Sequence, residues 1–149
     1  MVGKIGSDLA GWLAADGHHL PVRVYHEDTD FTGSVYHGSY VRFLERGRSD
    51  FLRLIGIEHA PLAADGLHFA VSAMTLSFRR AATIDDRIEI VTQVGTLTGA
   101  RVVLDQVVRR GTETLVTAEV TVALTNRSGR PSRFPQAIRT RLRADLMPG

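Results

Sequence analysis

The sequence predicts an α+β fold in which one long helix covers one face of an antiparallel sheet. Three patterns carry that expectation. Between Ser39 and Ile55, apolar residues recur every three or four positions, the period of a helix with one buried face. From Phe69 to Leu124, successive stretches alternate apolar and polar residues, as half-buried strands do. The breaks between the later stretches, Thr98-Gly99 and Arg110-Gly111-Thr112, are short enough for hairpins, which favours antiparallel pairing. A striped helix and a one-faced sheet bury each other as two layers.

Taken in order, Ser7 is suited to cap a helix and Gly17 to end one, so a short helix is expected from Asp8 to Asp16. Pro21 to Glu27 alternates Val22 and Val24 with Arg23 and Tyr25, a strand. The run Asp28-Thr29-Asp30-Phe31-Thr32-Gly33-Ser34 is rich enough in turn formers to end it. The long helix puts Tyr40, Phe43, Leu44, Gly47, Phe51, Leu54 and Ile55 on its apolar side, and Gly56 follows as a stop signal. Gly47 weakens that helix by about 1 kcal/mol relative to alanine, so it is expected to mark a close approach to another backbone. Phe69, Val71 and Ala73 alternate, then Met74, Leu76 and Phe78, and the slip at 73/74 predicts a bulge. Further strands are expected at Ile88, Ile90 and Val94, at Val102 and Leu104, and from Val116 to Leu124. Asn126 to Pro135 reads as a loop. Gln136 to Leu146, with Ile138, Leu142 and Leu146 in one stripe, reads as a terminal helix. The chain therefore divides into an N-terminal extension (1–20), one domain (21–136) and a basic tail (137–149).

At 149 residues one domain is the expected count, and a domain of this length buries about two thirds of the surface its unfolded chain exposes. A net charge of +2 accompanies a pI near 9.5. With no cysteine, three tyrosines and a single lysine, few groups titrate in the alkaline range, so a small surplus stretches the pI upward. From Arg127 onward six arginines face one aspartate, a net of +5, which leaves the body at −3. No aromatic-basic recognition motif accompanies the surplus, so no nucleic-acid partner is expected. The absence of cysteine excludes disulfides, thiolate metal sites and cysteine nucleophiles. No apolar run reaches the length of a membrane span, and the first twenty residues make a poor secretory signal, so a cytoplasmic protein is expected.

Titratable residues crowd between the first strand and the long helix: His26, Glu27, Asp28, Asp30 and His37. No phosphate-binding glycine loop, Gly-x-Ser-x-Gly elbow or His-Glu-x-x-His helix occurs. Three roles are open to the cluster. The aspartates can shape a turn. His26, Asp28, Asp30 and His37 can supply metal ligands, although their spacing matches no dedicated motif. Or a carboxylate at the mouth of the helix activates water or attacks an electrophile while helix amides bind the developing oxyanion. That third role suits acyl transfer, because a carboxylate is ionised at neutral pH without tuning and a thioester has a good leaving group.

The run Val22-Arg23-Val24-Tyr25-His26-Glu27-Asp28-Thr29-Asp30, continuing through Val35-Tyr36-His37-Gly38-Ser39-Tyr40 to Glu45-Arg46-Gly47-Arg48, closely resembles the motif of the 4-hydroxybenzoyl-CoA thioesterase-like hotdog family. It looks most like the bacterial acyl-CoA thioesterases associated with the Tol-Pal system. Met74-Thr75-Leu76, Ile84-Asp85-Asp86 and the strands to Leu124 line up in order, so the resemblance covers about residues 20–136.

The resemblance implies a hotdog fold, with about five strands wrapped around one central helix, and hydrolysis of an acyl-CoA thioester to the free acid and CoA. It makes Asp30 the catalytic carboxylate, as general base or as nucleophile through a mixed anhydride. It gives the His37 backbone N–H a part in polarising the thioester carbonyl, with the imidazole lining the site. Candidate substrate-binding residues are His26, Phe31, Gly33, Tyr36, Arg79 and Arg80. His26 stands where relatives carry Tyr, and Phe31-Thr32-Gly33-Ser34 where they carry Ala-Gly-Gly-Val, which adds bulk and stiffness beside Asp30. Arg79 and Arg80 replace an aromatic residue and a proline, and are placed either for CoA phosphates or for a solvated strand end. Tyr36 and Tyr40 are expected to pack beside the helix, and Glu45 to pair with Arg48 or Arg42.

No metal and no cofactor beyond the CoA of the substrate is implied. The implied partners are acyl-CoA, acyl carrier protein as an alternative carrier, and further copies of the chain. Sites then lie at the interfaces of dimers that pair into tetramers, in the cytoplasm and at the inner face of the envelope. Two other functions fit the same motif: a non-catalytic module that binds acyl-CoA or acyl carrier protein, and a hotdog dehydratase or hydratase.

Overall fold

The alternating stretches between residues 68 and 125 form four long strands. They are β4 (His68–Phe78), β5 (Arg87–Leu97), β6 (Arg101–Arg110) and β7 (Glu113–Thr125). In this computed structural model, which describes residues 5–7 and 9–144, they join β1 (Ile5–Ser7), β2 (Gly11–Ala14) and β3 (Gly17–Arg23) in one antiparallel sheet. Its order is β1-β2-β3-β5-β6-β7-β4. Helix α1 (His37–Leu54) packs over β2, β3, β5 and β6, with the shorter helices α2 (His59–Ala64) against β4 and α3 (Gln136–Ala144) against β5. The five expected strands are β3 to β7, and the first two extend the sheet beyond them.

No helix forms between residues 9 and 16. Gly11 and Gly17 belong to hairpins, with Trp12 paired to His19 across β2 and β3 and its indole stacked on the His19 ring, centroids 5.5 Å apart. Gly11 has φ +72°, and a Cβ there would lie 1.9 Å from the His19 carbonyl oxygen, so the backbone of β3 occupies the space a side chain needs. Four residues are too few to display a period of two, which is why cap chemistry dominated the expectation. The boundary placed between residues 20 and 21 falls inside β3. His19 fixes the hairpin, with Nε2 2.6 Å from Asp16 Oδ1 and Nδ1 2.5 Å from Glu89 Oε1.

The long helix matches its expected span within two residues at its start and one at its end. Tyr40, Phe43, Leu44 and Phe51 are buried against Ile88, Ile90, Leu104 and Val120 of the sheet. Gly47 is the point of close approach, but to side chains rather than to another backbone. A Cβ there would lie 2.6 Å from Ile90 Cγ2 and 3.3 Å from both Thr92 Oγ1 and Gln106 Nε2. Beneath it, Gln106 Nε2 donates to Leu44 O (3.0 Å) and Thr92 Oγ1 (2.9 Å), and Gln106 Oε1 accepts from Arg48 (3.1 Å). These bonds satisfy the polar groups that helix and sheet trap between them.

The register slip in β4 falls between Val71 and Ala73, just before the expected position. β4 ends the sheet and presents most of its residues to solvent.

The basic end of the chain is partly spent on structure. In α3, Ile138 and Leu142 are buried; Leu146 lies outside the described residues. Arg139 donates to Thr98 O (2.7 Å) and Gly99 O (3.4 Å), and Arg141 to Gly56 O just past the end of α1. Arg127 reaches Ala64 O, the last residue of α2, at 3.5 Å. Cations at helix C-termini complement unpaired carbonyls and the helix dipole. Replacing Arg139 by alanine leaves the Thr98 carbonyl at the β5–β6 turn without a donor, while Gly99 O keeps the Phe134 N–H at 2.9 Å, and is expected to lower the unfolding free energy by about 1–3 kcal/mol in urea titrations.

Candidate active site

The loop between β3 and α1 is held from within by Asp28, which is 5% exposed. Its carboxylate accepts the Tyr25 N–H at 2.9 Å. Its carbonyl accepts the Tyr36 N–H (2.9 Å) and the Ser39 hydroxyl (3.0 Å). Those bonds tie both ends of the loop to the first turn of α1. Asp28 therefore has the turn-shaping role, and its carboxylate does not join that of Asp30.

Asp30 closes a smaller turn. Its N–H donates to Ser34 O (2.9 Å) and its carbonyl accepts from Gly33 (3.1 Å). Its Oδ1 accepts the Thr32 N–H (2.8 Å) and the Thr32 hydroxyl (2.5 Å). The Thr32 hydroxyl, then its amide, then the Ser34 amide and the nearby His37 hold the Asp30 carboxyl below its ordinary value, against slight desolvation. Hydrogen bonds to the charged form favour ionisation, so Asp30 is a carboxylate at neutral pH. Thr32→Val removes the first of these contributions. The acidic limb of any Asp30-dependent activity is then expected to move to higher pH in a kcat/KM profile.

α1 opens without a side-chain cap. Its N-cap residue is Tyr36, which makes no capping bond, where Ser, Thr, Asp or Asn would ordinarily satisfy an early amide. The amides of His37 and Gly38 meet no acceptor among the described residues. Gly38 leaves room for the Tyr36 ring, because a Cβ there would lie 2.5 Å from Tyr36 Cε2. Two unengaged donors at the positive end of an 18-residue helix form an anion-binding position.

His37, Arg79 and Arg80 line one cleft with Val35, Tyr40, Phe78 and Ala81. Tyr36 stands against the His37 ring at 4.5 Å, with Phe78 edge-on to it at 6.3 Å. Arg80 pairs with Glu113 at 3.2 Å, whereas Arg79 makes no ion pair among the described residues. His26, Phe31 and Gly33 do not line this cleft. His26 lies in a single 3-10 turn (His26–Asp28), and Phe31 is fully exposed. Gly33 has φ +85° with open space around it, so it serves the turn's backbone geometry. Tyr40 is a packing residue whose hydroxyl accepts the Ala82 N–H at 3.0 Å.

The ion pair expected for Glu45 does not form with Arg42 or Arg48. Glu45 accepts from Ser49 Oγ at 3.2 Å, Arg42 reaches Ser39 Oγ at 3.4 Å, and Arg48 turns inward to Gln106. Spacing by three brings the two side chains onto one side of the helix, but Arg48 is buried toward the sheet while Glu45 stays exposed. Thr32 and Phe78 were not singled out as site residues. Asp-x-Thr is a recognisable turn motif in which the later residue donates back, so Thr32 had a local signal; Phe78 is placed by the sheet alone.

A family model described as the thioesterase-like superfamily matches residues 24–142. The acyl-CoA thioesterase YbgC of Haemophilus influenzae is 35% identical over 126 residues, covering 83% of this chain and 93% of that protein. The acyl-CoA thioester hydrolase YbgC of Escherichia coli is 38% identical over 120 residues, covering 79% and 90%. A probable thioesterase from Bartonella henselae, known from its crystal structure, superposes with a TM-score of 0.72 at 44% identity, covering 79% of this chain and 97% of that one.

Proposed function

Since this chain belongs to the thioesterase-like superfamily, we propose that it hydrolyses acyl-CoA thioesters to the free acid and CoA at the Asp30 loop. The observation that carries this reading is an ionised Asp30 near a helix mouth whose His37 and Gly38 amides are unengaged. With the thioester carbonyl oxygen on those amides, charge that develops on it is stabilised by donors already in place. Asp30 then acts in one of two ways. As general base it takes a proton from the attacking water, and collapse of the tetrahedral intermediate expels the CoA thiolate. As nucleophile it forms an acyl–aspartyl anhydride with loss of the thiolate, and water cleaves the anhydride. Arg79, without an ion pair among the described residues, is available to the CoA phosphates, and Arg80 would have to leave Glu113 to join it.

The test is a panel of aliphatic and aromatic acyl-CoAs followed by release of free thiol. All detected thiol comes from substrate, because the chain has no cysteine. Release of CoA with first-order dependence on enzyme is the expected result. Tight acyl-CoA or acyl carrier protein binding without release would overturn it in favour of a binding module, and hydration of an enoyl-CoA in favour of a hydratase.

The working unit is read as a homo-oligomer. β4 leaves an 11-residue edge with unpaired backbone groups, and such edges invite pairing with another strand. A second copy would pair there, and two such dimers would make the tetramer. A monomer in sedimentation at micromolar concentration would exclude this. The motif's likeness to the Tol-Pal-associated branch supports a location in the cytoplasm at the inner face of the envelope, which cell fractionation tests. Among the described residues, no helix is long and apolar enough to cross a membrane.

A further inference from the structure

Helix α1 carries a row of side chains that starts at His37 in the site and runs on through residues the chemistry at Asp30 leaves unused. His37, Val41, Glu45, Arg48 and Leu52 follow at spacings of four, four, three and four, so they share one stripe of the helix. α1 packs over β2, β3, β5 and β6, and this stripe borders the β4 side. Near its lower half lies a cavity of about 120 Å³, open to solvent, walled by Leu52 of α1, Phe69 and Val71 of β4, and Leu104 and Val122 below. Arg48 also lines it.

Arg48 is 7% exposed, yet no carboxylate lies within ion-pair distance among the described residues. Its one hydrogen bond goes to the neutral Gln106 Oε1. Gln106 cannot turn to serve it better, because its amide nitrogen is committed to Leu44 O and Thr92 Oγ1. A guanidinium has five donors in a planar fork that matches a carboxylate, and a buried cation without a counter-charge is costly to keep. Two other titratable groups line the cavity, Glu45 and His59, and both are exposed. Glu45 is the one charge that acts on Arg48 from a distance, but it is engaged with Ser49, and charges that face water are screened.

We propose that this cavity receives the distal end of the acyl group, and that Arg48 selects acyl groups whose far end carries a carboxylate. The inference rests on the hydrolase reading, since the acyl group arrives as a thioester held at the His37 end of the same stripe. Arg48 lies eleven positions along α1 from His37, about 16 Å of helix axis, less the reach of its side chain back toward the N-terminus. An acyl group of medium length spans that distance. The ligand class is therefore the CoA half-thioester of a medium-chain dicarboxylic acid.

The experiment compares kcat/KM for matched pairs of alkanoyl-CoA and ω-carboxyalkanoyl-CoA from about six to twelve carbons, on the wild type, Arg48→Met and Arg48→Lys. The wild type is expected to favour the carboxyl-ended member at least tenfold at one or more lengths. Arg48→Met should bring that ratio near one, and Arg48→Lys should recover part of it; the ratio cancels any general loss of activity. Val71→Trp provides a second variant if Arg48→Met does not fold. Val71 is 46% exposed at the cavity's rim, and an indole there should abolish the preference by filling the mouth. A wild type that hydrolyses alkanoyl-CoAs with no preference for a carboxyl end overturns this proposal and spares the hydrolase reading. A preference that survives Arg48→Met or Val71→Trp overturns it too. Hydrolysis of neither series overturns this proposal too, and the hydrolase reading then falls only if the aromatic acyl-CoAs also release no thiol.

Discussion

Asp30→Asn is expected to lower kcat/KM for acyl-CoA hydrolysis by about 10²–10⁴-fold, the usual loss when a positioned general base is removed, with at most about 0.5 kcal/mol change in stability. The two halves of this result have separate causes. Oδ1 of an asparagine still accepts the Thr32 amide and hydroxyl that Asp30 Oδ1 accepts now, so the turn keeps its bonds. The backbone bonds of residue 30 to Gly33 and Ser34 do not involve the side chain. What disappears is the charge, and with it both the base and the nucleophile. Urea denaturation of the variant beside thiol-release kinetics checks both halves, and an active variant would remove Asp30 from the mechanism.

The pH profile separates Asp30 from His37. Asp30 is held below the ordinary carboxylate value, so its protonation limits activity only on the acid side, below that value. A limb above the ordinary carboxylate range would instead point to a base other than Asp30. If His37 contributes through its backbone N–H, His37→Gln keeps that donor and retains most turnover. A large loss in His37→Gln together with a limb near neutrality would transfer the base's role to the ring.

The long helix and strands were legible in the sequence because each presents its period over many residues, as Tyr40 to Ile55 and Val116 to Leu124 do. The first hairpin was not, since β2 has four residues and its determinants are the contacts of Gly11 with His19 and of Gly17 with Thr92. The site shows the same division. Asp28 and Asp30 lie two residues apart in the same turn-rich run, and composition treats them alike. Burial separates them, by turning one carboxylate to Tyr25 N–H and leaving the other half-exposed. The disposition of Arg48 was hidden for a similar reason: a charged residue three positions from Glu45 suggests an ion pair, and only the packing of α1 on β6 turns it toward Gln106.

Gly47→Val is expected to cost about 3 kcal/mol or more, a large share of the about 5–15 kcal/mol that holds a typical domain together. A side chain at this position improves helix propensity by a fraction of the about 1 kcal/mol that separates glycine from alanine. Against that gain stands the space beneath the helix. Even the Cβ falls 2.6 Å from Ile90 Cγ2, and Ile90 cannot swing away, being fully buried, stiff at χ1 and paired to Leu20 on one side and Val108 on the other. Thr92 Oγ1 and Gln106 Nε2 lie 3.3 Å from the same Cβ, so room for the two further methyls of valine must come from disturbing the bonds that satisfy Gln106 and Arg48. Overpacking of about 1–3 kcal/mol is then joined by the loss of buried hydrogen bonds at about 1–3 kcal/mol each when a group is left unsatisfied. Gly47→Ala isolates the first part, and Ile90→Ala removes the atom it strikes at a cost of about 2–5 kcal/mol. In the double variant the alanine methyl at 47 occupies part of the void at 90, so the combined loss should fall short of the sum by about 0.5–3 kcal/mol, the range for residues in contact. Simple additivity in urea titrations of the four proteins would mean that the contact with Ile90 is not what requires glycine at this turn of α1.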